Sequence, residues 1–291
     1  MRPLDGLYAA LPTAFAADGT FSADGQRAVA RHAVDLGLDG VFVGGSTAEV
    51  HSLDLTERQA QLDAVAAAVG DRCRLIAHVG SLRLADALHL ARAAAAAGYR
   101  AVASTTPFYS PYTPAERRLF IARLAGEQPL PLFVYHIPGL TGVPLAAAEL
   151  LDLLAVAGVV GMKYTHHDLL AFLRLRRERP DATLLFGCDE LLSLALAAGA
   201  DGGIGSTYNL LGRHYVAMRR LVAAGEFDAA VALQQRLAPA IEALVRAGVF
   251  AGVKLVLRSR GVPCGECRPP HLSPAPEAAA ALLREIAPLL D

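Results

Sequence analysis

Lysine is nearly absent from this 291-residue chain. Lys163 and Lys254 are the only two, so 25 of the 27 basic residues are arginine. GC-rich codon usage is the plain cause of such a bias. Against that background, a retained lysine is expected to serve amine chemistry, which arginine cannot perform. Charge excess is absent as well: 27 basic and 28 acidic residues leave a net charge of −1. No global field would draw nucleic acid or an anionic membrane to the chain. Long apolar runs are missing, because Glu149, Asp152, Asp189 and Asp201 interrupt the richest stretches; no membrane-spanning helix is expected. The opening Met1-Arg2-Pro3-Leu4-Asp5 sets a proline and an acid where the apolar region of a signal peptide would begin, so a cytoplasmic location is expected. Four cysteines exclude a disulfide scaffold, and the lone C-x-x-C at Cys264 and Cys267 has no second pair to complete a zinc site.

What is present points to a large core: 54% of residues are hydrophobic and 19% charged. That balance excludes wholesale disorder. The length suits either two domains or one α/β barrel of about 250 residues. Short β-rich runs decide between them. They lie at Leu7–Pro12, Gly40–Val43, Leu75–Val79, Ala101–Ser104, Leu132–His136, Val159–Lys163, Thr183–Gly187 and Gly202–Gly205. Helix-periodic stretches separate them, clearest at Ser22–Leu36, Leu55–Val69 and Leu84–Ala97. Eight such units predict an α/β fold, a (β/α)8 TIM barrel over residues 1–211. Residues 212–291 are expected to supply the last barrel helix and additional C-terminal helices of the same continuous unit: Tyr215–Ala224, Phe227–Ala247, Ala251–Ser259 and Glu277–Leu290.

Catalytic groups of such barrels stand at the carboxyl ends of strands. After the second strand comes Gly44-Gly45-Ser46-Thr47-Ala48-Glu49. Its glycines and hydroxyls suit a carboxylate or phosphate, or an ordinary turn bonding its own backbone. Tyr135 ends the fifth strand and Lys163 the sixth. In a barrel mouth of low dielectric, desolvation favours the neutral, nucleophilic amine, and a nearby tyrosine can move protons. The alternative is a rim lysine paired with an acid. Gly187-Cys188-Asp189-Glu190 and Gly205-Ser206-Thr207-Tyr208-Asn209 follow the last two strands and suit a polyol, a metal half-site or helix caps. Five histidines, His51, His78, His136, His166 and His167, fall at or after strand ends, where a metal-dependent barrel would recruit them. Alternation turns His136 away from the lumen if Tyr135 points inward. His166 and His167 are expected at the rim, and Lys254, within a helix, in a structural salt bridge.

Taken in order, Gly44–Glu49, Pro107-Phe108-Tyr109, Tyr135–Gly142 and Gly161-Met162-Lys163-Tyr164-Thr165 resemble the dihydrodipicolinate synthase/N-acetylneuraminate lyase family of pyruvate-dependent aldolases. The resemblance covers nearly the whole chain. The stretches Asp189-Glu190, Ala200–Asn209, Phe250–Lys254 and Cys267–Pro270 are most similar to its lyase branch. It implies a class I aldolase splitting N-acetylneuraminate into pyruvate and N-acetylmannosamine. Lys163 would form the Schiff base, Tyr135 would carry the proton, and Ser46 and Thr47 would hold the carboxylate. Thr165, Gly187, Asp189, Glu190, Gly205 and Ser206 match positions that receive the polyol. Tyr109 matches a tyrosine contributed across a subunit contact, which implies a homo-oligomer, usually a tetramer. The resemblance implies no metal and no organic cofactor; the partners are the 2-keto sugar acid and pyruvate.

Three differences stand out. Ala48 occupies a position that is usually glycine, and positive φ there would cost about 1 kcal/mol. Ala14 replaces the proline of the usual Thr-Pro-Phe. Leu140 stands where the synthases carry a substrate-clamping arginine, which argues against their doubly acidic substrate. The rivals are another family member, such as a 2-keto-3-deoxy sugar acid aldolase or, further off, the synthase itself; a metal-dependent aldolase or isomerase using the rim histidines; and a non-catalytic sugar-acid-binding barrel.

Overall fold

The computed structural model describes residues 4–290. Eight strands form a closed parallel barrel in sequence order, β8 pairing with β1. They are β1 (Gly6–Ala10), β2 (Gly40–Val43), β3 (Arg74–His78), β4 (Ala101–Ser104), β5 (Leu132–His136), β6 (Val159–Tyr164), β7 (Thr183–Phe186) and β8 (Gly202–Gly205). Each lies within two residues of its expected run. Alternation divides every strand between two cores. Tyr8, Phe42, Ile76, Ala103, Phe133, Leu185 and Ile204 fill the lumen. Leu7, Val41, Leu75, Val102, Val134, Met162 and Leu184 face the surrounding helices in a second, larger cluster.

One irregularity positions the chemistry. Between Leu132 and Phe133 the β5–β6 register shifts by one residue, so Phe133 pairs with Gly161 and Tyr135 with Lys163. Without that bulge Tyr135 would stand opposite Met162, which faces the helices. Gly161 makes room for the arrangement, since a Cβ there would lie 2.7 Å from the Phe133 ring.

The helix Leu55–Val69 begins where expected. Asp54 caps it by accepting from the Glu57 N–H at 2.8 Å, and Glu57 returns the bond at 3.2 Å. The helices Phe227–Arg246, Val249–Ser259 and Pro276–Ile286 complete the C-terminal region. A further helix, expected from Tyr215, starts earlier and runs Tyr208–Ala223, with non-helical dihedrals at Leu211. Gly212 does not stop it; the absent side chain lets this helix approach Leu36, 3.0 Å from where a Cβ would sit. Among the described residues, no helix is long and apolar enough to cross a membrane.

Candidate active site

At the carboxyl end of the barrel lies a cavity of about 670 Å³. Lys163 stands on its floor, 4% exposed, with Nζ 4.3 Å from the Phe42 ring centroid and 4.2 Å from that of Tyr135. Among the described residues it makes no ion pair or hydrogen bond. The amine is therefore held by two aromatic faces, which leave its nitrogen free to react.

Two glycines bring the carboxylate-type loop over this floor. Gly44 takes φ +76°, and a Cβ on Gly45 would lie 2.5 Å from the Phe42 ring. Ser46–Ala48 then form a single 3₁₀ turn. The N–H groups opening such a turn have no partner within it. Ser46 Oγ lies 3.4 Å from the Tyr135 hydroxyl, and Thr47 Oγ1 shares a 2.7 Å hydrogen bond with Ser206 Oγ. The strain anticipated at Ala48 falls one residue later. Ala48 is helical and buried, whereas Glu49 adopts φ +54°. Glu49 is held there by Lys254, whose Nζ donates to Oε1 at 2.5 Å with both side chains fully buried. The Arg268 N–H donates to Oε2 at 2.8 Å. Lys254 is thus the structural salt bridge expected of it.

Seven of the expected residues line the cavity: Ser46, Thr47, Tyr135, Lys163, Thr165, Gly187 and Ser206. Thr165 Oγ1 is buried without a hydrogen-bond partner and occupies the space that a side chain on Gly187 would need. Asp189, Glu190, Gly205 and Tyr109 are not among the walls. Asp189 is turned into the protein, accepting from the Thr207 N–H at 2.8 Å and from the Thr207 hydroxyl at 2.7 Å. Burial pushes its carboxyl up to about 6, against the opposing pull of those bonds. Gly205 lies where any side chain would collide with Asp189. Glu190 instead meets His167 on the surface, Nε2 to Oε1 at 2.7 Å. Tyr109, on the loop after β4, is 82% exposed.

The histidines separate by face. His136 points outward, its ring 5.5 Å from that of Tyr164 and 5.8 Å from that of His166. Burial pushes it down to about 4. His166 belongs to this outer group and does not line the cavity. His78 points inward, its ring 5.6 Å from that of Tyr135. Its Nδ1 lies 2.9 Å from the Gly44 carbonyl. A carbonyl only accepts, so Nδ1 carries the proton and Nε2 is a bare, buried acceptor without a partner. Desolvation, reinforced by Arg58, pushes this imidazole down to about 3, so it remains neutral beside the tyrosine. Sequence reasoning assigned no role to Phe42 or to the wall formed by Gly248–Ala251 and Pro270–Leu272. Inward alternation in β2 was the available signal for Phe42. For the wall the signal was the resemblance at Phe250–Lys254 and Cys267–Pro270, which carried no role for these residues.

The sequence profile of the Dihydrodipicolinate synthetase family matches residues 3–287. The N-acetylneuraminate lyase of Rhizobium meliloti (strain 1021) is 38% identical over 287 residues, covering 99% of this chain and 96% of its own length. Among solved structures, a Clostridium difficile protein, CdNal, in complex with mannosamine superposes with a TM-score of 0.95 at 29% identity, covering 99% of each chain. The Fusobacterium nucleatum N-acetylneuraminate lyase complexed with pyruvate gives 0.93 at 29% identity, covering 99% of this chain and 98% of its own.

Proposed function

The chain belongs to the dihydrodipicolinate synthetase family, and on that premise we propose that it is a carbon–carbon lyase, a class I aldolase cleaving N-acetylneuraminate reversibly to pyruvate and N-acetylmannosamine. The observation that carries the reading is the buried, unpaired Lys163 amine beside Tyr135, under a hydroxyl-bearing loop suited to a carboxylate.

Each residue type has a task in that chemistry. The Lys163 amine attacks the C2 ketone of the sugar acid, and water leaves as the imine forms. Protonated, the imine accepts the electron pair released when the C3–C4 bond breaks. Tyr135 takes the C4 hydroxyl proton, and N-acetylmannosamine departs as the aldehyde. Ser46, at hydrogen-bonding range of Tyr135, completes a relay. Tyr135 returns the proton to C3 of the enamine, and water hydrolyses the resulting imine to free pyruvate and amine. Ser46 and Thr47 hold the α-carboxylate, with Thr47 giving up its bond to Ser206. Thr165 and Ser206 face the polyol, Gly187 keeps the space open, and Asp189 and Gly205 shape that end from behind. Glu190 reaches the polyol after leaving His167. No step requires a metal or an organic cofactor.

Tyr109 is assigned to the site of a neighbouring subunit in a homotetramer; its exposure outside its own cavity supports this. A cytoplasmic location completes the reading. The test is product stoichiometry. Pyruvate and N-acetylmannosamine should appear in equal amounts from N-acetylneuraminate, and Lys163→Ala should release neither while keeping its circular dichroism. Cleavage of 2-keto-3-deoxygluconate with none of N-acetylneuraminate would reassign the substrate.

A further inference from the structure

We propose that His167, Cys188 and Glu190 form a binding site for a divalent cation of the zinc class at the rim between β6 and β7, beside the catalytic cavity. One imidazole nitrogen, the Cys188 sulfur and one Glu190 oxygen lie within 4.8 Å of one another. Ligands at about 2.0–2.3 Å from one tetrahedral zinc ion stand roughly 3.3–3.8 Å apart, so side-chain rotation must open the 2.7 Å His167–Glu190 contact and bring the sulfur to the same ion. The donors are nitrogen, sulfur and oxygen. A thiolate and an imidazole together select zinc-like ions over magnesium or calcium.

Placement favours uptake. Cys188 is buried at the floor, while His167 and Glu190 stand exposed above it. An ion would enter from solvent and keep its remaining coordination positions for water. The two jaws already point at each other, since His167 Nε2 meets Glu190 Oε1 at 2.7 Å. A cation there would take the place of that contact. Asp189, lying between Cys188 and Glu190 in sequence, is committed to Thr207 and does not compete as a ligand. The ion would join the loop after β6 to the turn after β7. It would sit next to Gly187, which lines the cavity, and would keep Glu190 from the polyol, so cation and sugar acid compete for that carboxylate.

The probe is Co²⁺, titrated into chelator-treated full-length protein. One equivalent should produce a thiolate-to-cobalt charge-transfer band in the near ultraviolet, which Zn²⁺ abolishes by displacement. Cys188→Ser should lose the band, and His167→Gln should bind cobalt at least tenfold more weakly. Cys267→Ser should keep it. Circular dichroism and borohydride trapping of pyruvate on Lys163 report separately on fold and lysine, and both should survive in all three variants. No charge-transfer band in the unaltered protein, or an undiminished band in Cys188→Ser, would overturn the proposal.

Discussion

Replacing Lys254 by methionine should cost far more than replacing a surface cation. The pair Lys254–Glu49 is fully buried at 2.5 Å. At an effective dielectric of about 20, two unit charges at that separation attract by roughly 7 kcal/mol. Desolvation of both groups offsets most of this, so the intact pair contributes little net stability. Removing one partner is different: the buried Glu49 carboxylate then loses its countercharge and keeps only neutral donors, among them the Arg268 N–H. Breaking such a pair costs about 3–5 kcal/mol. For a chain of this size that corresponds to a fall in Tm of about 5–8 °C. The double variant Lys254→Met/Glu49→Gln removes both charges and should recover at least half of the loss. Urea denaturation of the four proteins measures the coupling, with the slope m checked for constancy. Glu49 also closes the turn carrying Ser46 and Thr47, so Lys254→Met should raise KM for pyruvate more than it lowers kcat. A loss below 1 kcal/mol in Lys254→Met, or no recovery in the double variant, would refute the reasoning.

Gly187→Ala would drive a methyl group into Thr165 Oγ1 on the cavity wall; kcat/KM should fall about 100-fold with the fold retained, as misplacement by an ångström does. His78 is held neutral, pushed down from 6.5 to about 3, so its contribution is present above pH 6.5 and lost as pH falls toward 3. That shift is on the order of 5 kcal/mol. His78→Phe should flatten the acid limb of a stability-against-pH curve; an unchanged limb would exclude the buried imidazole as its source. Asp189 acts in the opposite direction: raised to about 6, it contributes most below pH 3.8, and that contribution is lost as pH rises through 6. Asp189→Asn should therefore remove a stability decline between pH 4 and 6, read by thermal unfolding in matched buffers.

The strands were legible because β-rich runs of four to six residues alternate with helix-periodic stretches, and closure into a barrel follows from their number. Lys163 and Tyr135 were legible because strand ends are where such barrels place chemistry. Their pairing was not, since it depends on a one-residue bulge between Leu132 and Phe133. Nor was the contact of Thr47 with Ser206, 159 residues away in sequence. The strain expected at Ala48 lies at Glu49, because backbone dihedrals in a loop follow from long-range ties such as Lys254. His78 stood out only as a strand-end histidine. Its neutrality comes from burial and from Arg58, 20 residues away, against the opposing pull of the Gly44 carbonyl. The helix expected from Tyr215 begins earlier, at Tyr208, and Gly212 within it is a point of close helix packing.

The central claim is imine formation at Lys163 followed by C–C cleavage. Borohydride reduction in the presence of N-acetylneuraminate, read by intact mass and peptide mapping, tests both steps at once. The account predicts a pyruvate-sized adduct on the peptide containing Lys163, and no adduct in Lys163→Ala. No adduct, an adduct on another residue, or one the size of the whole sugar acid would contradict it.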